Sequence, residues 1–406
     1  MFPKIPQKKK FVYLDHAAAT AMDADVLKAM KPYFFDCFAN PSSLYSLGVT
    51  AKDAVEKSRA LVAHILGAQP DTILFTSGGT ESNNLAIVGS AMAHQKSGKH
   101  IITTRIEHDS VLRPMQNLEK QGFKVTYLDV GEQGRVSVDE VKKALRKDTI
   151  LVSVMYANNE IGTVEPIAEI GREILKWRKK NKTNFPYLHS DAAQAPNYLD
   201  LQVEKLHVDL MTLNGSKIYG PKGVGMLYKR RGVSLWAQSS GGRQEFGLRA
   251  GTENVAGIVG FAKALETVTK TKERNNREIV KLRDYFLNKI QTQIPDFELN
   301  GPEIAASSTR SDSMFRLPSN LNIYFKNVES EALVLYLDSY GISASSGSAC
   351  STDSNLPSHV LKAVGHSDER ADSSIRFTLG KSTTKQDIDY VMKYLPKVIQ
   401  ELRKTN

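Results

Sequence analysis

TILFTSGGTESNNLAIVGSAMAH, residues 72–94, runs from a short apolar segment through two glycines into a stretch of helical character. A strand that ends in a tight turn and opens into a helix is the repeating step of an α/β layer. Such a step also brings free backbone N–H groups and the positive end of the helix dipole to one point, which makes an anion site. Gly79 and Thr80 stand where a phosphate would be held, although a plain strand-to-helix turn accounts for them equally well.

The same alternation extends on both sides. HIITTRIEH (100–108) predicts a strand, VLRPMQNLEKQG (111–122) a helix, FKVTYLDV (123–130) and TILVSVMYA (149–157) two strands, and PYLHSD (186–191) and VDLMTL (208–213) two more. Apolar runs of this length joined by helices argue for a mainly parallel, buried sheet. After residue 260 the pattern changes. A long helical stretch carries Leu282, Tyr285, Phe286 and Ile290 near helical spacing, and 303–320 is polar and predicts an exposed loop. LNIYF (321–325) predicts a strand. The closing segment places Ile388, Val391, Met392, Leu395, Ile399 and Leu402 on one side of a helix, with Thr384 and Asp387 spaced as a capping pair. A second, smaller α+β domain from about residue 261 is the simplest account.

No apolar run is long enough to cross a bilayer. With two cysteines in 406 residues there is no disulfide framework, which points to a reducing cytoplasm. The net charge of +10 is dispersed, with dense clusters only at 176–182 and 228–231 outside the N-terminal tail. It is that of a soluble protein with solvated charged faces, or of one that meets an acidic partner.

Polar clusters fall where strands should end, and parallel sheets bind ligands at those ends. Asp191 in LHSDAAQ could pair with a protonated ring nitrogen or cap a helix, with Gln194 three residues on. Lys217 in LNGSKIYGPKGVGML could form a Schiff base as a deprotonated amine, but Lys222 is equally suited to the surface by composition. His108 follows a strand, as a structural histidine also would. Arg376, inside the β-like run SSIRFTLG, needs an anionic partner or a route to solvent; a substrate carboxylate would be such a partner. Cys350 sits in SSGSACS among residues too small to build a core, which suits a usable thiol on a loop, whereas Cys37 among aromatics reads as a small buried hydrophobe. A phosphate cup, a Schiff-base lysine, an acid for a ring nitrogen and a carboxylate-binding arginine together are the parts of a pyridoxal phosphate enzyme.

The ordered series YLDHAAAT, FTSGGTESNN, EH, NNEIGTVEPI, HSDAAQ, SKIYGPKGVGMLY, RAGTENV, SSGSACS and SSIRFTLG resembles the cysteine desulfurases of the NifS/IscS group, in the class V aminotransferase branch of fold-type I pyridoxal phosphate enzymes. The resemblance runs from about residue 12 to about 400. It implies an α/β fold, with a large domain (16–260) holding a mainly parallel seven-stranded sheet flanked by helices. A smaller α+β domain (1–15 and 261–406) would carry a mobile cysteine loop at about 345–357. Lys217 would hold pyridoxal phosphate and later move protons at the substrate Cα, Asp191 would pair with the ring nitrogen, and His108 would stack on the ring as an acid or base. Gln194 and Asn159 would contact the ring's phenolic oxygen, with Asn159 also near the substrate carboxylate. Gly79, Thr80, Asn214 and Ser216 would surround the phosphate, and Thr252 would reach the phosphate of a second subunit, which implies a homodimer. Ser216 stands where many members have histidine.

Arg376 would bind the carboxylate of L-cysteine, and Cys350 would take its sulfur as a persulfide and release L-alanine. The sulfur would pass to an acceptor protein, either an iron–sulfur scaffold or a tRNA-thiolating enzyme. The resemblance requires no membrane, no direct nucleic acid binding and no resident metal, with Cys350 a candidate transient iron–sulfur ligand. Selenocysteine lyase and a class V aminotransferase are the rival reactions on the same scaffold; a non-catalytic binding protein is the rival outside it.

Overall fold

The computed structural model describes residues 2–6, 9–304, 315–347 and 357–405. Strands β1 (Val12–Tyr13), β2 (Ile73–Thr76), β3 (His100–Thr104), β4 (Lys124–Leu128), β5 (Thr149–Ser153), β6 (Tyr187–Asp191), β7 (Leu210–Asn214) and β8 (Gly225–Lys229) precede a 39-residue helix, Val255–Gln293. Strands β9 (Phe297–Leu299), β10 (Asn320–Phe325), β11 (Ile342–Ser343) and β12 (Ser374–Thr378) follow it. The expected domain boundary at residue 260 therefore falls inside one continuous helix.

The large sheet has the order β2-β8-β7-β6-β5-β3-β4. It is parallel except for β8, which runs against both β2 and β7. β2, β3, β5 and β6 are buried at every residue, because helices cover both faces. Along each strand alternate side chains enter opposite cores: Ile73 and Phe75 one, Leu74 the other; Ile102 one, Ile101 the other. The sequence reading of 72–157 as strands and helices matches these elements. It missed β8, whose GVGMLY run carries two glycines. Gly225 is required there, since a Cβ would lie 2.7 Å from the Gly78 carbonyl carbon on the turn that crosses it.

The remaining strands form an antiparallel sheet, β12-β10-β9, and a parallel pair, β1-β11. The closing helix, Lys385–Thr405, buries all six of the apolar side chains picked out by their spacing. Asp387 and Thr384 cap it reciprocally: Thr384 N–H and Oγ1 donate to Asp387 Oδ2 at 2.8 and 2.7 Å, and Asp387 N–H returns to Thr384 Oγ1 at 3.2 Å. The reading of 303–320 as an exposed loop is corrected at its C-terminal end. Arg316, Leu317, Ser319 and Asn320 are buried, and Arg316 Nη1 donates to the carbonyls of Asn300 and Pro302. A guanidinium that caps carbonyls inside the fold looks the same in sequence as one that faces water. Among the described residues, no helix is long and apolar enough to cross a membrane.

Two buried polar arrangements tie this frame together. Arg59 makes a two-point ion pair with Glu245 at 2.9 and 2.8 Å, and Glu245 also accepts from Phe75 N–H of β2 at 2.8 Å. Replacing Glu245 with Gln strands the guanidinium charge in the interior and should lower stability by about 3 kcal/mol or more, measured by urea unfolding. His100 lies wholly buried between Thr149 and Thr126, and burial pushes its imidazole down to about 4. Because the folded value lies below the unfolded one, His100 adds stability that is complete above about pH 6.5 and lost as pH falls toward 4. The buried Glu165 carboxyl, raised to about 8 by burial, has the opposite slope. A comparison with His100→Gln isolates the histidine: the variant's unfolding midpoint should fall less steeply than wild type between pH 6.5 and 4.

Candidate active site

The chemistry-bearing residues sit at the carboxyl ends of neighbouring strands. The turn after β2 leads into the helix Gly79–His94, with Gly78 as its N-cap. His108 follows β3 and caps the helix Asp109–Glu119. Asn159 follows β5, Asp191 ends β6, and Asn214 ends β7 just before the single turn Gly215–Lys217. Since β7, β6, β5 and β3 are neighbours and parallel, these ends lie along one sheet edge. Ala17 and Ala18, beyond β1, and Arg376 of β12 close the space from the other side. The resulting cavity has a volume of about 190 Å³.

Gly79, Thr80, His108, Asn159, Asp191, Gln194, Asn214, Lys217 and Arg376 all line it. Lys217 Nζ donates to the carbonyls of Ala17 and Ala18 at 2.9 and 2.5 Å, and Gln194 Nε2 donates to that of Ala17 at 3.0 Å. Lys222, its rival in the sequence, is exposed. Asp191 is buried; its Oδ1 accepts from Ala193 N–H at 2.9 Å and its Oδ2 from Asn83 Nδ2 at 2.6 Å. The first of these is the local turn that made a capping role plausible, and the second ties the carboxylate to a different helix. Arg376 is 1 % exposed, and the anionic partner its burial demanded is Asp15, 2.7 Å from Nη2. Nη1 donates to the Asn159 carbonyl at 3.0 Å. The guanidinium is thus held flat by two contacts, and Nε has no partner among the described residues.

Two expected site residues, Ser216 and Thr252, are not among the described residues of the cavity wall. Ser216 turns its hydroxyl to Asn214 Oδ1, 3.2 Å away, and so orients the asparagine rather than facing the cavity. Thr252 is exposed and lies off the cavity of its own chain. Cys350 lies outside the described residues, as does most of the 345–357 loop. Of that loop's ends, Ser345 is buried and pairs with Arg376 in both directions, N–H to carbonyl, at 3.2 and 2.7 Å. Ser358 Oγ donates to Glu160 at 2.5 Å.

Asn83, Ser110, Asp15 and Glu107 carry no role in the sequence reading, although each stands within a quoted motif or beside one. The Glu107 carboxyl is fully buried and pushed well above the ordinary range, chiefly by burial, with Asp191 adding to the rise. Its Oε1 accepts from Thr104 Oγ1 and Met155 N–H, fixing the segment that carries His108.

The Aminotransferase class-V family matches residues 12–391. The chain is 47% identical over 395 residues to the cysteine desulfurase IscS of Dictyoglomus turgidum, covering 97% of this chain and 96% of that one. It is 46% identical over 399 residues to the cysteine desulfurase IscS of Methanosarcina thermophila, covering 98% and 94%. Among solved structures, a NifS-like protein superposes with a TM-score of 0.87 at 35% identity, covering 97% of this chain and all of that one. SspA in complex with cysteine superposes with a TM-score of 0.77 at 35% identity, over 93% of this chain. On sequence and fold alike, the chain belongs to the class-V aminotransferase family, within its NifS/IscS group of cysteine desulfurases.

Proposed function

We propose that this protein is a pyridoxal phosphate-dependent cysteine desulfurase that converts L-cysteine to L-alanine and keeps the sulfur as a persulfide on Cys350. The observation that carries the proposal is the meeting of Lys217, Asp191, His108 and Arg376 in one cavity beside the described ends of the Cys350 segment. The donor set fits the cofactor. N–H groups at the start of the helix Gly79–His94 suit a phosphate, the Lys217 amine suits an aldehyde, and the buried, doubly hydrogen-bonded Asp191 suits a protonated ring nitrogen. When bound, pyridoxal phosphate supplies an electron sink for bond cleavage at the substrate Cα and Cβ.

The protein's own residues supply the rest. Arg376, pinned by Asp15 and the Asn159 carbonyl, offers its remaining N–H groups to the substrate carboxylate. Lys217 takes and returns protons at Cα. The Cys350 thiolate attacks the substrate sulfur, so that an S–S bond forms, the Cβ–S bond breaks, and Cβ gains a proton to complete alanine. No outside oxidant or reductant is needed, because the sulfur is oxidised as the carbon is reduced. Ser345, five positions before Cys350 in the sequence, is hydrogen-bonded to the Arg376 backbone at the cavity wall. The exposed Phe34, Phe35, Phe38, Leu44 and Tyr45 support a homodimer, in which Thr252 would serve the phosphate of the second subunit. A cytoplasmic acceptor, an iron–sulfur scaffold or a tRNA-thiolating enzyme, would receive the sulfur.

After exposure to L-cysteine, mass spectrometry should find one added sulfur on the peptide bearing Cys350. Cys350→Ala should release alanine from cysteine about 10²-fold more slowly or worse; activity retained by this variant, with no sulfur on the wild-type thiol, would favour a lyase or aminotransferase instead. Arg376→Lys keeps the charge but loses the planar fork, so KM for cysteine should rise roughly tenfold with a smaller change in kcat.

A further inference from the structure

Asn83 and Ser110 line the cavity; Asn83 is hydrogen-bonded to Asp191 and Ser110 to His108. Asn83 Nδ2 lies 2.6 Å from Asp191 Oδ2 and 2.8 Å from Ser110 Oγ. Ser110 Oγ lies 2.8 Å from His108 Nδ1, and the Ser110 backbone N–H also donates to that nitrogen, at 3.1 Å. Asn83 is 1 % exposed, so this chain is closed to bulk water at its centre.

The hydrogens along it can be placed one by one. A carboxylate accepts only, so the amide of Asn83 must turn its NH₂ toward Asp191; the opposite orientation would set oxygen against oxygen. The second N–H of that NH₂ is then given to Ser110 Oγ. Having accepted there, the serine hydroxyl has its single hydrogen left for His108 Nδ1. The same Nδ1 takes the Ser110 backbone N–H, as an N-cap acceptor does at the start of a helix. A ring nitrogen that accepts two hydrogen bonds carries no proton, so the neutral ring is protonated at Nε2.

We propose that Asn83 and Ser110 are positioning residues forming a relay that holds His108 in its Nε2–H form, so that the ring meets cofactor and substrate as a hydrogen-bond donor and acid rather than as a base. This deepens the proposed function and rests on it for the identity of what His108 faces. The relay also couples the two groups: the negative charge of Asp191 orients Asn83, which orients Ser110, which sets the tautomer of a ring on another element. Proton acceptance at Cα then falls to Lys217, consistent with the notion that acid and base are kept on separate side chains.

Ring-¹⁵N-labelled histidine in the cofactor-loaded enzyme, observed by long-range ¹H–¹⁵N spectra at about pH 8, above the ordinary histidine range, reads the tautomer directly. His108→Gln identifies the resonances. Wild type should show a pyridine-type Nδ1 and a pyrrole-type Nε2. Ser110→Ala removes the hydroxyl donor but keeps the backbone N–H on Nδ1, so it should weaken the preference enough to show a detectable Nδ1–H population and lower kcat for alanine release roughly tenfold with KM little changed, while Ser110→Thr should restore the single form. Asn83→Ala frees the serine hydroxyl to turn away from Nδ1 and leaves the backbone N–H there, so it should show the same minor Nδ1–H population. A wild-type ring protonated at Nδ1, or a Ser110→Ala ring still wholly in the Nε2–H form, overturns the proposal. The spectrum is independent of which amino acid is cleaved, so a failed desulfurase assay beside an Nε2–H ring would count against the reaction and leave the relay standing.

Discussion

A carboxylate at the end of a strand buried on both faces is the constraint from which the rest of this site follows. Asp191 stands at the end of β6, in the middle of the sheet, and a bare charge there would be costly. It is tolerated because two N–H donors from different elements converge on it, Ala193 of its own turn and Asn83 of the helix Gly79–His94. The second bond fixes how that helix is set against the sheet. The helix start, with Gly79 and Thr80, is therefore placed relative to the acid, and so are Lys217 on the next strand end and His108 two strands away. Helix-start N–H groups, amine, carboxylate and imidazole share one frame because one buried charge has to be answered.

The other half of the site comes from β12 and the residues after β1, and its logic is similar. A guanidinium 1 % exposed cannot be left to water, and Asp15 and the Asn159 carbonyl hold it from two sides. Asn159 belongs to the large-sheet edge and Asp15 to the N-terminal segment, so Arg376 joins three stretches of chain far apart in sequence. Ser345, hydrogen-bonded to the Arg376 backbone, ties the start of the Cys350 segment to the same point. The guanidinium and the described start of that segment are in this way anchored on one residue.

Much of this was legible before the fold was known. Buried parallel strands declare themselves as apolar runs, and the residues that end them, Asp191 and Asn214, are polar by contrast. Lys217 and His108 stand just past strands for the same reason. The helix Lys385–Thr405 was legible in detail down to its capping pair, because both periodicity and capping are local. What escaped were the residues whose work is to hold others. Asn83 and Ser110 are small polar side chains in helix starts, where such residues are expected anyway, and only the fold brings them to Asp191 and His108. Asp15 was hidden because its partner lies 361 positions away. β8 was hidden by glycines that a backbone crossing demands, and Arg316 by a polar stretch whose end folds inward.

The most direct measurement of the central claim is borohydride reduction of the purified enzyme followed by peptide mass analysis. The account predicts a pyridoxyl group fixed to the nitrogen of Lys217, the amine that the fold aims at Ala17 and Ala18 across the cavity from Asp191. A label found on Lys222, or on no lysine at all, would contradict it.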